Sequence, residues 1–378
     1  MRNRLMTRCP VEIEADILTA GSRPQIYDNN DVFTMMMSNL YGKLRNVFDT
    51  EDPVYITPVS EDCLTDMIMT NFTDDDSKIL ILDRNDTITP FRRLAEKWGN
   101  KAFFLIDGDM DAIENVLTQQ EIKLVIARYD DSTANIAAIS RLCHDYDAMI
   151  AIDVTTSIST TSTSKESFEV DIMYAAGSSA LALPYGISLI SLNTKAIKAL
   201  NMTEKADIYN LRHYIKAYRE NKLAYSISMP LLTMLDKRMD RIQLSGITNM
   251  CDSFGEHTVK LRTGLSNLGF TVYGDNILNC ITYASVPASS VKNIDEIIQY
   301  MGDKHSWQLN KVQYGDKNAG TDEEVLEICN FGNIAMHDID SFIESLSKVI
   351  TGQDDKDEKE LLEANKAKEA TKELETTK

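Results

Sequence analysis

The chain has 378 residues, with 39 Lys and Arg against 58 Asp and Glu, and carries a formal net charge of −19 at neutral pH. Such a surface repels other polyanions, which excludes non-specific attraction to nucleic acid or anionic membrane, and no apolar run approaches the ~18 residues that span a bilayer. The length gives about two domains and ample material for a core.

Six cysteines, Cys9, Cys63, Cys143, Cys251, Cys280 and Cys329, are scattered without a CxxC pair. No basic-then-apolar leader precedes them, so the reading is reduced thiols and a cytoplasmic location. On that reading the Asn-x-Thr triplets at Asn71 and Asn201 are chance.

From residue 55 to about 195, short apolar runs alternate with amphipathic segments. Lys78 to Leu82, Ala102 to Ile106, Lys123 to Ala127, Ala148 to Ile152, Asp171 to Ala175 and Ile187 to Leu192 read as buried strands. Leu64 to Asn71, Pro90 to Trp98, Met110 to Gln119 and Asn135 to Asp145 carry apolar residues at a spacing near 3.6 and read as helices. That alternation predicts a mostly parallel sheet covered on both faces. Met35, Met36 and Met37 read as helix packing.

Residues 197 to 245 are rich in helix formers and hold no convincing strand. A long amphipathic run over 247 to 268 opens a new pattern. Strands follow at Thr271 to Tyr273, Cys280 to Ser285 and Val325 to Cys329, with helices at Asn293 to Met301 and Asp338 to Ile350, which predicts a smaller α+β domain. From Gly352 onward acids and lysines mix without aromatic or β-branched residues, the composition of a charged tail, helical or disordered. The expected boundaries are 1–245, 246–351 and 352–378.

Asp153 ends a buried apolar strand, the position at which open α/β sheets bind ligands, and a carboxylate there needs a cation or donor to stay ionised. The five histidines are too dispersed for a metal cluster, no GxxxxGK or GxGxxG is present, and no metal is expected. Asp74, Asp75 and Asp76 fall in a turn between a helix and a strand and read as solvated.

Two segments define a stronger pattern: Ala151-Ile152-Asp153-Val154-Thr155-Thr156-Ser157, and about two dozen residues later Gly177-Ser178-Ser179-Ala180-Leu181-Ala182-Leu183-Pro184-Tyr185-Gly186. Further along come Tyr225-Ser226-Ile227-Ser228-Met229-Pro230 and Leu326-Glu327-Ile328-Cys329-Asn330-Phe331-Gly332-Asn333. Upstream lies Arg128-Tyr129-Asp130-Asp131-Ser132-Thr133-Ala134. In order and spacing these resemble the alanine-glyoxylate and serine-pyruvate branch of the class V aminotransferases, pyridoxal-phosphate enzymes of fold type I, over nearly the whole chain to about residue 351. The fold class this implies is α/β, a large domain with a mostly parallel seven-stranded-type sheet plus a small C-terminal α+β domain.

The resemblance also implies where cofactor chemistry would sit, and the chain departs from it there. Asp153 corresponds to the partner of the protonated pyridine nitrogen, with Thr155 and Ser178 beside it. Ala180 stands where the Schiff-base lysine belongs and Ser179 where a glutamine precedes it, so neither imine formation nor proton shuttling by an amine is expected. Lys165 and Lys195 lie outside the motif. Glu327 takes the place of the arginine that clamps the substrate carboxylate, and at an effective dielectric of ~20 and ~4 Å a carboxylate there repels by ~4 kcal/mol.

Ser60, Glu61 and Asp62 fall where a Gly-rich turn would cradle phosphate, and the two acids are also good helix-start residues. Thr87 falls at about the place of the stacking aromatic, with Phe91 the nearest substitute. Tyr225 and Ser228 keep hydroxyls that in the family reach the phosphate of the neighbouring subunit. The functional expectation is a homologue that has lost transamination and acts in ligand binding, regulation or scaffolding. It is expected as a homodimer or paired with an active paralogue, with no covalent attachment of pyridoxal phosphate. The alternative is an active pyridoxal-phosphate enzyme with displaced catalytic groups or a non-covalently bound cofactor.

Overall fold

The computed structural model describes residues 4–24, 26–28, 30–83, 90–105, 108–129, 133, 135–201, 207–273, 280–315, 323–354 and 356. Its first half runs β1 (Arg4–Leu5), α1 (Ala15–Gly21), α2 (Asp31–Phe48), β2 (Val54–Thr57), α3 (Glu61–Phe72), β3 (Lys78–Leu82), α4 (Pro90–Trp98), β4 (Ala102–Leu105), α5 (Met110–Gln119), β5 (Ile122–Arg128), α6 (Ile136–Asp145), β6 (Met149–Asp153), α7 (Lys165–Phe168), β7 (Ile172–Ala176) and β8 (Ser188–Leu192). Strands β2 to β8 form one seven-stranded sheet in the order β2-β8-β7-β6-β5-β3-β4. The five strands from β4 to β7 in that order are parallel, and β8 runs antiparallel to both β7 and β2.

The strands read as continuous apolar runs because both faces are covered. Alternate residues part to opposite sides. Leu80, Val125, Ile150 and Met173 enter one core with α2, while Ile79, Leu124, Ala151 and Tyr174 enter another with α3. Met37 is fully buried in the first of these cores and Met36 packs against it, whereas Met35 is exposed. The packing role read for the methionine run therefore holds for two of the three.

The second half comprises α8 (Thr194–Ala199), α9 (Leu211–Arg219), α10 (Met229–Ser245), α11 (Ile247–Asn267), β9 (Thr271–Tyr273), β10 (Ile281–Ser285), α12 (Ile294–His305), β11 (Trp307–Gln308), β12 (Asn310–Tyr314), β13 (Glu323–Cys329) and α13 (Met336–Thr351). Four of its strands form an antiparallel sheet ordered β12-β13-β10-β9, packed on a separate core with α11, α12 and α13. The sequence reading carries no counterpart of β1, α1, β2, β11 or β12, and of α2 it has only the methionine run. β1 pairs in parallel with β11, Arg4 opposite Trp307, so the start of the chain is stitched to its C-terminal third.

Asn71 is buried and its amide donates to Met67 O and Tyr209 O, a structural role with no room for a glycan. Among the described residues no helix is long and apolar enough to cross a membrane. Beyond Gly352, which caps α13, nearly all of the charged tail lies outside the described residues.

Candidate functional site

Three elements converge where the parallel strands end. Arg128 closes β5 and Asp153 closes β6, and the two are register partners on adjacent strands, so their side chains leave the sheet on the same face. The N-terminus of α3 supplies Ser60, Glu61 and Asp62. From the other side come Arg8 and Cys9 of the N-terminal segment, Asn310 and Val312 of β12, and Glu327 of β13. With Tyr185 these residues enclose a cavity of about 230 Å³.

Ser60 is the N-cap of α3, extended at φ −85° and ψ 170°, and its hydroxyl makes no capping bond. Glu61 and Asp62 occupy the first turn, where the helix dipole favours acids. Asp62 pairs with Arg93 at the exposed surface. Glu61 faces the cavity, and its carboxyl is raised above the usual range, by burial first and by the nearby Asp153 second, against the opposing pull of Arg128 and Arg8.

Glu327 is 3% exposed, and its neighbours across the sheet are Tyr283 and Asn310. Arg8 Nε donates to Glu327 Oε2 at 3.1 Å, a second guanidinium nitrogen forms an ion pair with the same carboxylate, and Arg8 Nη2 also donates to the Tyr283 hydroxyl at 3.0 Å. The bare repelling carboxylate anticipated at this position is therefore corrected: Arg8 neutralises it. The sequence pattern gave no hint, because the partners lie 319 positions apart.

Asp153 is buried and its Oδ1 accepts from Thr155 N at 2.8 Å. The Thr155 hydroxyl accepts from Ala176 N at 3.0 Å, so it ties the loop to β7. Ala180 lies in the turn after β7, buried, with its N–H donating to Thr155 O at 3.1 Å. The buried hydroxyls of Ser178 and Ser179 have no hydrogen-bond partner, while Ser178 O accepts from Cys9 Sγ at 3.4 Å. Burial pushes the Cys9 thiol up, against hydrogen bonding to Tyr185 and Ser178, which keeps it a poor nucleophile.

Among the described residues no lysine lines the cavity. Lys165 is buried elsewhere in an ion pair with Asp52, and Lys195, 47% exposed, lies 3.8 Å from Asp171. Tyr225 and Ser228 line a different cleft, of about 970 Å³, with Tyr27 and Pro230. The Tyr225 hydroxyl donates to Asp207 O. Asp74 is held in its turn by Ser77 and Lys123, and no metal-binding cluster occurs among the described residues. Thr87 lies outside the described residues.

The cavity thus brings together Ser60 and Glu61 of the sequence-derived set, with Asp153, Thr155 and Ser178 packed behind it and Tyr225 and Ser228 apart. Sequence reasoning missed Arg8, Cys9, Asn310 and Tyr185 as cavity walls, and it quoted Arg128 only as part of a degraded turn. A basic residue ending an apolar strand next to one ending in aspartate was the available signal.

Tethered pyridoxal phosphate does not fit these residues. Among the described residues the cavity offers no amine, the cradle position carries two carboxylates, and the strand end paired with that of Asp153 carries the guanidinium of Arg128. That guanidinium stands over the ring of Phe91, its carbon 5.4 Å from the centroid.

No family model matches the chain. An uncharacterized aminotransferase of Methanocaldococcus jannaschii is 24% identical over 298 residues, 75% of this chain and 77% of that protein. The alanine–glyoxylate aminotransferase of Mus musculus is 24% identical over 362 residues, 90% of this chain and 86% of that protein. Among solved structures, an alanine–glyoxylate aminotransferase from Nostoc sp. superposes with a TM-score of 0.82 at 15% identity, covering 92% of this chain and 95% of that one. The homologues are alanine–glyoxylate-type aminotransferases, and the fold is that of the fold-type I aminotransferases.

Proposed function

We propose that this chain is an aminotransferase-fold protein that has lost transamination and holds a small ligand non-covalently between its large and small sheets. The observation that carries this reading is the cavity wall itself: among the described residues it presents two guanidinium groups and three carboxylates, but no amine. Without an amine no imine forms and no side chain moves a proton between carbons as a lysine does. The cavity volume, below the ~300 Å³ typical of drug-sized sites, restricts the occupant to a small metabolite.

The test is direct. Full-length protein is mixed with pyridoxal phosphate, its absorbance recorded, and the mixture treated with borohydride before peptide mapping. A pyridoxyl adduct on a lysine of the cavity region would overturn the reading; an unmodified chain supports it.

Arg8 favours a second reading, an active enzyme with displaced groups, because it brings a guanidinium to the wall where the resemblance has lost one. Amino-group transfer from alanine to glyoxylate above the rate without protein would establish that reading.

We further propose a homodimer in which Tyr225 and Ser228 approach the partner's site. Support comes from their position in an open cleft beside Tyr27, which is 65% exposed. Co-purification of a lysine-bearing paralogue would point instead to a regulatory subunit.

A further inference from the structure

We infer that Arg128 is the resident cation of this site, occupying the place at which a pyridinium ring would neutralise Asp153, and that the chain therefore excludes pyridoxal phosphate even as a non-covalent guest. The inference deepens the proposed function and rests on the absence of a tethering lysine.

The geometry carries it. Arg128 and Asp153 are register partners at the ends of β5 and β6, and the strand ends are locked together by Tyr129 N donating to Asp153 O at 2.9 Å. The Arg128 side chain is 6% exposed, and its guanidinium lies over Phe91, the nearest aromatic to the expected stacking position. A planar cation resting on an aromatic ring, at the strand position paired with that of a buried carboxylate, supplies the positive charge and the aromatic stacking that such a cofactor ring would bring.

The surroundings hold it there. Asp83 at the end of β3, Asp153 at the end of β6 and Glu61 in the first turn of α3 surround Arg128 with negative charge. Burial alone would favour the neutral guanidine, but these three carboxylates outweigh it and the opposing charge of Arg8, so Arg128 stays protonated. A buried carboxylate without a cation is costly, so Arg128 is not free to leave for a guest that brings its own positive ring. Its own charge also repels such a ring.

The experiment titrates pyridoxal phosphate into the full-length wild type, Arg128→Met and Arg128→Lys, following difference absorbance and the shift in melting temperature. The wild type and Arg128→Lys are expected to show no saturable binding. Arg128→Met, which removes the like charge, should bind tighter by roughly tenfold or more. Saturable capture by the wild type, or a folded Arg128→Met that binds no better than wild type, would overturn the inference. If Arg128→Met does not fold, the wild-type titration decides alone, with Arg128→Gln as the second neutral variant. Reversible capture without borohydride trapping would defeat this inference and leave the loss of transamination standing, whereas a trapped lysine adduct defeats both.

Discussion

Arg8 and Glu327, 319 positions apart, form an ion pair at the wall of the cavity, and the same guanidinium holds the Tyr283 hydroxyl. The pair joins the N-terminal segment to the middle of β13, and it converts a charge inversion on that strand into a neutral contact. Removing one partner leaves the other charged in a largely buried wall. Glu327→Ala should therefore lower stability by about 2–4 kcal/mol, somewhat below the value for fully enclosed pairs because Arg8 keeps some solvent contact. Urea denaturation measures it.

The same pair governs any attempt to rebuild a substrate clamp. Glu327→Arg sets two guanidinium groups against each other, so Ala180→Lys combined with Glu327→Arg should melt below wild type and capture no cofactor. Adding Arg8→Glu restores opposite charges and should recover most of the lost melting temperature. A double variant as stable as wild type would show that Arg8 does not face position 327 in solution.

Glu61 sets a pH dependence whose sign follows from its raised carboxyl. Above the unfolded carboxyl value the folded state binds more protons than the unfolded one, so stability falls as pH rises through the interval up to the folded value. Glu61→Gln removes this contribution. The variant should melt above wild type at neutral pH, with the difference shrinking as pH falls toward the ordinary glutamate range. Melting curves at several pH values between mildly acidic and neutral check it; a difference that grows on acidification contradicts it.

Much of this architecture was legible because periodicity is local. The run Lys78–Leu82 and the segments Pro90–Trp98 and Met110–Gln119 carry their strand or helix pattern within themselves, and their bounds match the observed elements. β12, Asn310–Tyr314, was not legible. It alternates polar and apolar residues weakly and is defined by pairing with β13. β1 has only two residues and exists because Trp307 and Gln308 receive it. Asp153 could be read from its place at a strand end, but the character of the cavity depends on Arg8, and long-range ion pairs leave no mark in local pattern. The hydroxyl-rich stretch Thr155 to Thr161 after Asp153 is a buried turn, although runs of polar residues ordinarily mark the surface.

If two copies of the chain complete each other's sites, the cleft beside Tyr225 lies at the interface. Tyr27 lines that cleft and is 65% exposed. Tyr27→Glu places a charge on a surface that a partner would bury, and an unpaired buried charge disfavours association. Wild type should sediment as a dimer and Tyr27→Glu as a monomer at the same concentration, with unchanged far-ultraviolet circular dichroism. A monomeric wild type would remove the basis of the homodimer.

The junction between the N-terminal segment and the turn after β13 makes a last prediction. Gly332 adopts φ +69°, and a Cβ built there would lie 2.0 Å from Glu12 O, the same carbonyl that accepts from Asn333 N at 3.0 Å. A side chain must displace backbone at this point as well as accept a left-handed conformation. Gly332→Ala should cost about 2–4 kcal/mol or more, since strain and steric overlap add. Gly186 provides the control: its φ is +101° but the nearest atom to a built Cβ is 3.7 Å away, on Leu231. Gly186→Ala carries conformational strain alone, about 1–2 kcal/mol. The two urea midpoints should differ in that order. Equal midpoints would mean that Glu12 does not press on Gly332, and the strap formed by residues 4–12 would then be looser than its hydrogen bonds imply.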